Sequence, residues 1–315
     1  MPVPFYHCFG MVMCHLGATS HGAAIVIPAP AFDPERTLAA VETEKCTALY
    51  GVPTMFIAEQ NLPNFKDYDL SSLRTGIMAG SPCPVEVMKR CMTEMHMAEV
   101  SIAYGMTDTS PVSTQTRPED DVERRTASVG RVHPHLEVKV IDPTTGLTVP
   151  RDTPGELCTR GYSVMLGYWN DPAKSGEAID AARWMHTGDL AEMRGDGYLN
   201  IFGRIKDMVI RGGENLYPRE IEEFLYTHPD IADVQVVGVP DEKYGEELCA
   251  WITLRAGAAA LDQTEIADFC SGKLSKNKVP RYVLIVDSFP MTVTGKVRKM
   301  DMRETSIERL GLSTH

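Results

Sequence analysis

The octet Tyr104-Gly105-Met106-Thr107-Asp108-Thr109-Ser110-Pro111 gathers an aromatic ring, a glycine, two threonines and a carboxylate within eight residues. A flat ring can stack on adenine, threonine hydroxyls and an open glycine backbone can meet a phosphate, and a carboxylate is a hard-oxygen ligand for Mg2+. The same composition also makes an ordinary Ser/Thr-rich turn. Further on, Gly188-Asp189 places a carboxylate where it can accept two hydrogen bonds from a ribose diol, or simply hold a turn. Lys296 follows Thr294-Gly295 in a basic stretch. That stretch reads either as a loop carrying a cation into a site formed elsewhere or as a solvated surface loop.

Something must position these groups. Residues 23–27 read as a buried strand ending at Pro28-Ala29-Pro30, and Asp33 caps a helix with Pro34 in its first turn, running to about Glu44. Strands follow at 47–50, 74–79 and 99–103, with a helix over 85–95. Strand and helix alternating in this way signal a parallel sheet with crossover helices. Two of these strands run straight into Gly80-Ser81 and into the octet, and ligands bind at the carboxyl ends of parallel strands, where a glycine lets backbone approach closely. Short strands and turns over 128–166 predict a small antiparallel sheet or barrel, and Asp171-Pro172 starts a helix.

Residues 203–222, GRIKDMVIRGGENLYPREIE, read as a joint between two bodies. A hairpin turn at 194–197 leads into Arg204, a short strand spans 207–210, Gly212-Gly213 turns the chain, and Pro218 opens a helix with Ile221, Phe224 and Leu225 on one face. Beyond lies a compact α+β unit with strands at 234–239, 248–254 and 283–286 and a helix over 264–274. The domains expected are therefore 1–204 and 205–315.

The 315 residues are 43% hydrophobic and 23% charged, ordinary for a globular chain that buries a sizeable core. The net charge of −12 argues against a nucleic-acid surface, which needs clustered cations, but not against a phosphate ligand held by a few local groups. No apolar run is long enough for a transmembrane segment and no leader is evident, so a cytoplasmic setting is the default. The eight cysteines form no C-x-x-C pair and read as buried reduced thiols. His7, His15 and His21 have spacings that match no metal-binding pattern.

Taken in order, PFYHCFG, MAGSPCP, YGMTDTSP, GELCTRGYSVMLGYW, HTGDL, GRIKDMVIRGGENLYPREIE and TVTGKVRK resemble the adenylate-forming acyl-CoA synthetase family over essentially the whole chain. The resemblance implies an α/β fold: part of a large adenylation domain, with parallel sheet layers and a small β-barrel subdomain, then a small mobile α+β C-terminal domain. It implies that Tyr104 stacks on adenine beside Gly80, Ser81 and Gly105, that Thr107 contacts the AMP phosphate, and that Asp189 and Arg204 bind ribose. Lys206 is then the pivot of the small domain, Gly212 and Gly213 line the path of the CoA arm, Lys296 stabilises charge at the α-phosphate, and His7 stands beside the carboxylate of the acid. ATP, Mg2+, CoA and a small carboxylic acid, by this reading a medium- to long-chain fatty acid, are the implied reactants and cofactors.

Two departures accompany the resemblance. Asp108 stands where the family usually has Glu as the metal ligand, one methylene longer. The Gly- and Ser/Thr-rich loop that wraps the outer phosphates is expected before the His7 segment, so the chain resembles the C-terminal part of such an enzyme, with exposed apolar faces or a partner covering them. A non-catalytic AMP- or acyl-binding remnant or interaction module, and transfer to a carrier-protein thiol in place of CoA, are the alternatives. Met11, Met13 and Met106 suit either a flexible acyl pocket or plain core.

Overall fold

The computed structural model describes residues 1–259, 261–292 and 296–312. The chain divides into two compact units, Met1–Ile201 and Phe202–His315.

In the first unit a π-helix, Phe9–Leu16, and a short helix α1, Gly17–Ser20, precede α2, Pro34–Glu44. Asp33 caps α2 as its composition predicts, accepting from the Arg36 N–H at 3.0 Å. Then come β1 (Ala48–Gly51), α3 (Pro53–Gln60), β2 (Thr75–Ala79), α4 (Val85–Glu94), β3 (Glu99–Gly105), β4 (Val112–Gln115), α5 (Val122–Ala127) and β5 (Arg131–Val132). These strands make a five-stranded sheet in the order β1-β2-β3-β4-β5, parallel from β1 to β3 and antiparallel beyond. The sequence reading found the parallel half; β4 and β5 are short and lie among turn residues, where periodicity carries little signal.

A second sheet holds β6 (Leu136–Ile141), β7 (Gly155–Gly161), β8 (Met185–Met193) and β9 (Leu199–Arg204) in that order, with α6 (Pro172–Ala178) between β7 and β8. Together with the parallel strands this is the α/β architecture expected. The stretch 128–166 thus contributes strands to an antiparallel four-stranded sheet.

One reading of the first thirty residues needs correcting. Residues 23–27 form no strand: without a ladder partner their backbone is tied locally, the Met1 amino group donating to the Val26 carbonyl at 2.6 Å and the Ala23 N–H to Ala18 at 2.9 Å, and Ile27 is exposed. The preceding apolar run is helical. It forms an eight-residue π-helix, a rare form that sequence periodicity does not single out, and buries Phe9, Gly10 and Cys14. Phe9 and Cys14 pack with Val52, Met55, Ala79 and Ala103. This contact sets the His7 segment against the carboxyl ends of β2 and β3. Met13 packs on the same cluster and Met106 on another with Val164 and Met185, while Met11 is exposed.

The second unit contains β10 (Val209–Arg211), β11 (Glu214–Leu216), α7 (Pro218–Leu225), β12 (Ile231–Asp241), β13 (Gly245–Leu254), α8 (Gln263–Cys270), β14 (Tyr282–Ile285) and α9 (Lys299–Leu310). Its sheet runs β11-β10-β13-β12, and β14, off this path, pairs in parallel with β13. The strand expected over 207–210 is shifted, since Ile205–Asp207 turns as a 3-10 helix first. α7 opens at Pro218 and buries Ile221 and Leu225 as its apolar face requires. α9 leaves no mark in the sequence pattern, because only Met302 and Ser306 of its length are buried, a stripe too narrow to register. All eight cysteines are free thiols, Cys8 and Cys46 half-buried and the others buried.

Candidate functional site

β2 and β3 end in register, Ala79 pairing with Ala103, so Gly80-Ser81 and Tyr104-Gly105 leave the same edge of the parallel sheet side by side. Gly80 has φ +94°, and Gly105 has no room for a side chain: a Cβ there would lie 1.7 Å from the Pro111 carbonyl oxygen. That close approach lets the octet fold back on itself. The Met106 N–H donates to Pro111 at 2.9 Å, and the buried Thr109 hydroxyl accepts from the Met106 N–H at 3.1 Å while donating to the Pro111 carbonyl at 2.7 Å. Of the two threonines in the octet, Thr109 is therefore the lock of the loop, and Thr107 is the one presented to solvent.

Asp189 arrives from the second sheet. Glu156 pairs with Leu190 and Cys158 with His186, so β8 carries two residues more than β7 over this interval. The bulge turns at Gly188, φ +67°, and is braced by the Gly188 N–H to Glu156 Oε1 at 3.1 Å, the Asp189 N–H to Thr187 Oγ1 at 3.1 Å and the Thr187 hydroxyl to the Leu157 carbonyl at 2.6 Å. Asp189 is thereby aimed at the first sheet. The Tyr104 hydroxyl donates to its Oδ2 at 2.6 Å, so two residues 85 apart in sequence meet.

Around this pair stand further groups. His7 Nδ1 accepts from the Phe9 N–H at 3.1 Å, and Cys8 Sγ lies 3.7 Å from that nitrogen and 3.5 Å from Thr107 Oγ1. Asp108 is hydrogen-bonded by the Tyr168 hydroxyl, a contact that raises the Tyr168 phenol above its usual range, and the Asp108 carbonyl accepts from the Met165 N–H at 2.8 Å. The first unit thus assembles His7, Gly80, Ser81, Tyr104, Gly105, Thr107, Asp108 and Asp189 at or beside one sheet edge. The sequence alone assigns no role to Tyr168, Thr187 or Glu156. The hydroxyl of Thr187, directly before Gly188-Asp189, was the legible signal for a brace, whereas the reach of Tyr168 to Asp108 depends on tertiary folding.

Arg204, Lys206, Gly212, Gly213 and Lys296 belong to the second unit. Arg204 precedes the 3-10 turn that contains Lys206. Gly212 and Gly213, with φ +60° and +84°, form the turn between β10 and β11, and the Gly212 N–H donates to Tyr244 at 2.8 Å. Lys296 is held by its backbone across the stem of a loop: its N–H donates to Thr292 Oγ1 at 3.1 Å, its carbonyl accepts from the Thr292 N–H at 2.8 Å, and Met291 bridges to Val297. The Thr294-Gly295 turn lies outside the described residues.

Residues 1–169 match the AMP-binding enzyme family and residues 220–296 the AMP-binding enzyme C-terminal domain. The chain is 56% identical to the putative acyl-CoA synthetase YngI of Bacillus subtilis (strain 168), over 100% of its own length and 57% of that protein. It is 49% identical to the mitochondrial medium-chain acyl-CoA ligase ACSF2 of Danio rerio, over 99% of its own length and 51% of that protein. It thus spans about half the length of these curated relatives. Among solved structures, the anthranilate CoA ligase AuaEII in complex with anthranoyl-AMP superposes with a TM-score of 0.88 at 27% identity, covering 98% of this chain and 60% of that one.

Proposed function

The chain belongs to the AMP-binding enzyme family, and from that premise we propose that it carries the nucleotide site and the mobile C-terminal domain of an AMP-forming acid–thiol ligase. In the first step a carboxylate oxygen attacks the α-phosphorus of ATP, forming acyl-AMP and expelling pyrophosphate. In the second a CoA thiol attacks the acyl carbonyl, forming the thioester, expelling AMP and giving up its proton. The hydrogen bond from Tyr104 to Asp189 carries this reading. It holds an aromatic face and a carboxylate together at a sheet edge beside Gly80, the arrangement an adenosine needs: base on the ring, ribose diol on the carboxylate.

In this scheme Thr107 meets the α-phosphate, His7 lies by the acid carboxylate, and Arg204 joins Asp189 at the ribose. Lys296 supplies positive charge where negative charge develops. Lys206 is the pivot, and Gly212-Gly213 flank the pantetheine path. Asp108, half-buried beside the exposed Thr107 hydroxyl, is a suitable hard-oxygen donor for Mg2+, which takes one or two protein carboxylates and completes its shell with phosphate and water. When bound, Mg2+ offsets phosphate charge. The acid is by our reading a medium- to long-chain fatty acid, consistent with what the ACSF2 name says of that relative. Free cysteines accord with a reducing compartment, and we place the protein in the cytoplasm.

Carboxylate-dependent ATP/pyrophosphate exchange on the 315-residue chain, across acids from short to long, tests the first step. Exchange with medium or long acids, followed by thioester formation with CoA but not with a carrier protein, is the expected result. A folded chain that binds AMP without exchange would instead be a nucleotide-binding unit only, and the ligase reading would fail for it.

A further inference from the structure

Behind the bulge that presents Asp189 lies a second cluster. Glu156 and Cys158 are two apart on β7 and so share one face, and His186 on β8 is the direct cross-strand partner of Cys158. Their ligand atoms converge: His186 Nδ1 lies 2.9 Å from Glu156 Oε2 and 3.7 Å from Cys158 Sγ, and all three donors lie within 4.8 Å of one another. One ring nitrogen faces both a thiol and a carboxylate, yet it can make only one linear hydrogen bond. An ion at the centre of the triangle satisfies all three.

We propose that Glu156, Cys158 and His186 bind one thiophilic divalent ion of the zinc class, clamping β7 to β8 across the bulge. Sulfur, nitrogen and oxygen donors together suit zinc, cobalt or cadmium and exclude Mg2+, which takes oxygen alone. The surroundings are those of a metal site. The Gly188 N–H occupies Glu156 Oε1 at 3.1 Å, which leaves Oε2 for the ion. On the opposite side of the imidazole, Asp180 Oδ2 lies 3.9 Å from His186 Nε2, placed to orient the ring as outer carboxylates do for metal-bound histidines. Cys158 is fully buried and His186 is partly open to solvent, so an ion reaches the site from the His186 side and a water can complete four ligands. On coordination the thiol proton leaves to buffer.

The test is titration of chelator-treated chain with Co2+. A sulfur-to-cobalt charge-transfer band is expected, saturating at one equivalent, displaced by Zn2+ and indifferent to excess Mg2+. Cys158→Ala should abolish it, and Asp180→Asn should weaken binding by about 10- to 100-fold. Absence of the band in the parent chain, or its full survival in Cys158→Ala, overturns the proposal and leaves a Glu–His hydrogen bond only. Should Cys158→Ala not fold, His186→Asn and Glu156→Gln decide it: titrations superimposable on the parent would sink the site.

Discussion

The two units hold their chemical groups in opposite ways. In the first, the groups are part of the framework: Tyr104 bonds Asp189, Tyr168 bonds Asp108, and the buried Thr109 hydroxyl closes the loop that carries Thr107. In the second, the framework lies beneath them. Lys299 donates to Glu222 at 2.6 Å and to the Val236 carbonyl at 3.1 Å, and Trp251 donates to the buried Ser306 at 2.8 Å, pinning α9 to the sheet. Lys296 sits three residues before Lys299, on a loop outside that lattice. Substitutions in the first unit should therefore disturb site and fold together, whereas in the second the two should separate.

The largest effect expected is Lys299→Met. Glu222 is only 5% exposed, and with Lys299 removed its carboxylate keeps the Val236 N–H but loses its counter-charge. Breaking a buried pair from one side costs about 3 to 5 kcal/mol. Hydrogen exchange should show protection lost across residues 202–315 and kept across 1–201; an equal loss in both would break the comparison. Next comes Lys296→Ala. Under the proposed function it lowers ATP/pyrophosphate exchange by about two to three orders of magnitude. Unfolding midpoints should not move. Exchange unchanged by this substitution would remove the lysine from the proposed chemistry.

Asp233 gives the second unit a pH signature. Burial raises its carboxyl to about 6 from 3.8, against the hydrogen bond it accepts from the buried Tyr226 hydroxyl. A raised folded-state value means the folded chain holds the proton more tightly, so this stabilisation is complete below 3.8 and is lost as pH rises through about 6. At about 1.4 kcal/mol per unit the change is about 3 kcal/mol. The stability of the second unit against urea should fall as pH rises over that window, and Asp233→Asn should flatten the slope. A slope that persists in the variant assigns it to another group.

What the sequence disclosed follows the same division. The parallel strands and the helices at Pro34, Val85, Pro172 and Pro218 were legible because caps, prolines and apolar periodicity are local. The octet and Gly188-Asp189 were legible as ligand chemistry but not as a pair, since the bulge in β8 that joins them arises from a register shift against β7. The π-helix and α9 were hidden, one by an unusual period and the other by a nearly polar surface. Residues 23–27 misled because an apolar run is a strand only where another strand stands beside it.

The finest test is at the joint of the first unit. Tyr104→Phe keeps the ring for stacking and removes only the hydroxyl that donates to Asp189 at 2.6 Å. A hydrogen bond to a charged group is worth about 1.5 to 3 kcal/mol, and the partial exposure of Tyr104 puts this one at the low end. If site and fold are one structure here, the variant should lose about 1.5 kcal/mol of stability in the first unit. It should also bind AMP more weakly, because Asp189 loses the Tyr104 hydrogen bond that helps to aim it. Asp189→Asn combined with Tyr104→Phe should then cost less than the two single losses added, since both act on one bond. Weaker AMP binding with unchanged stability would mean that Tyr104 and Asp189 serve the ligand alone, and the contrast between the units would narrow to a difference in burial.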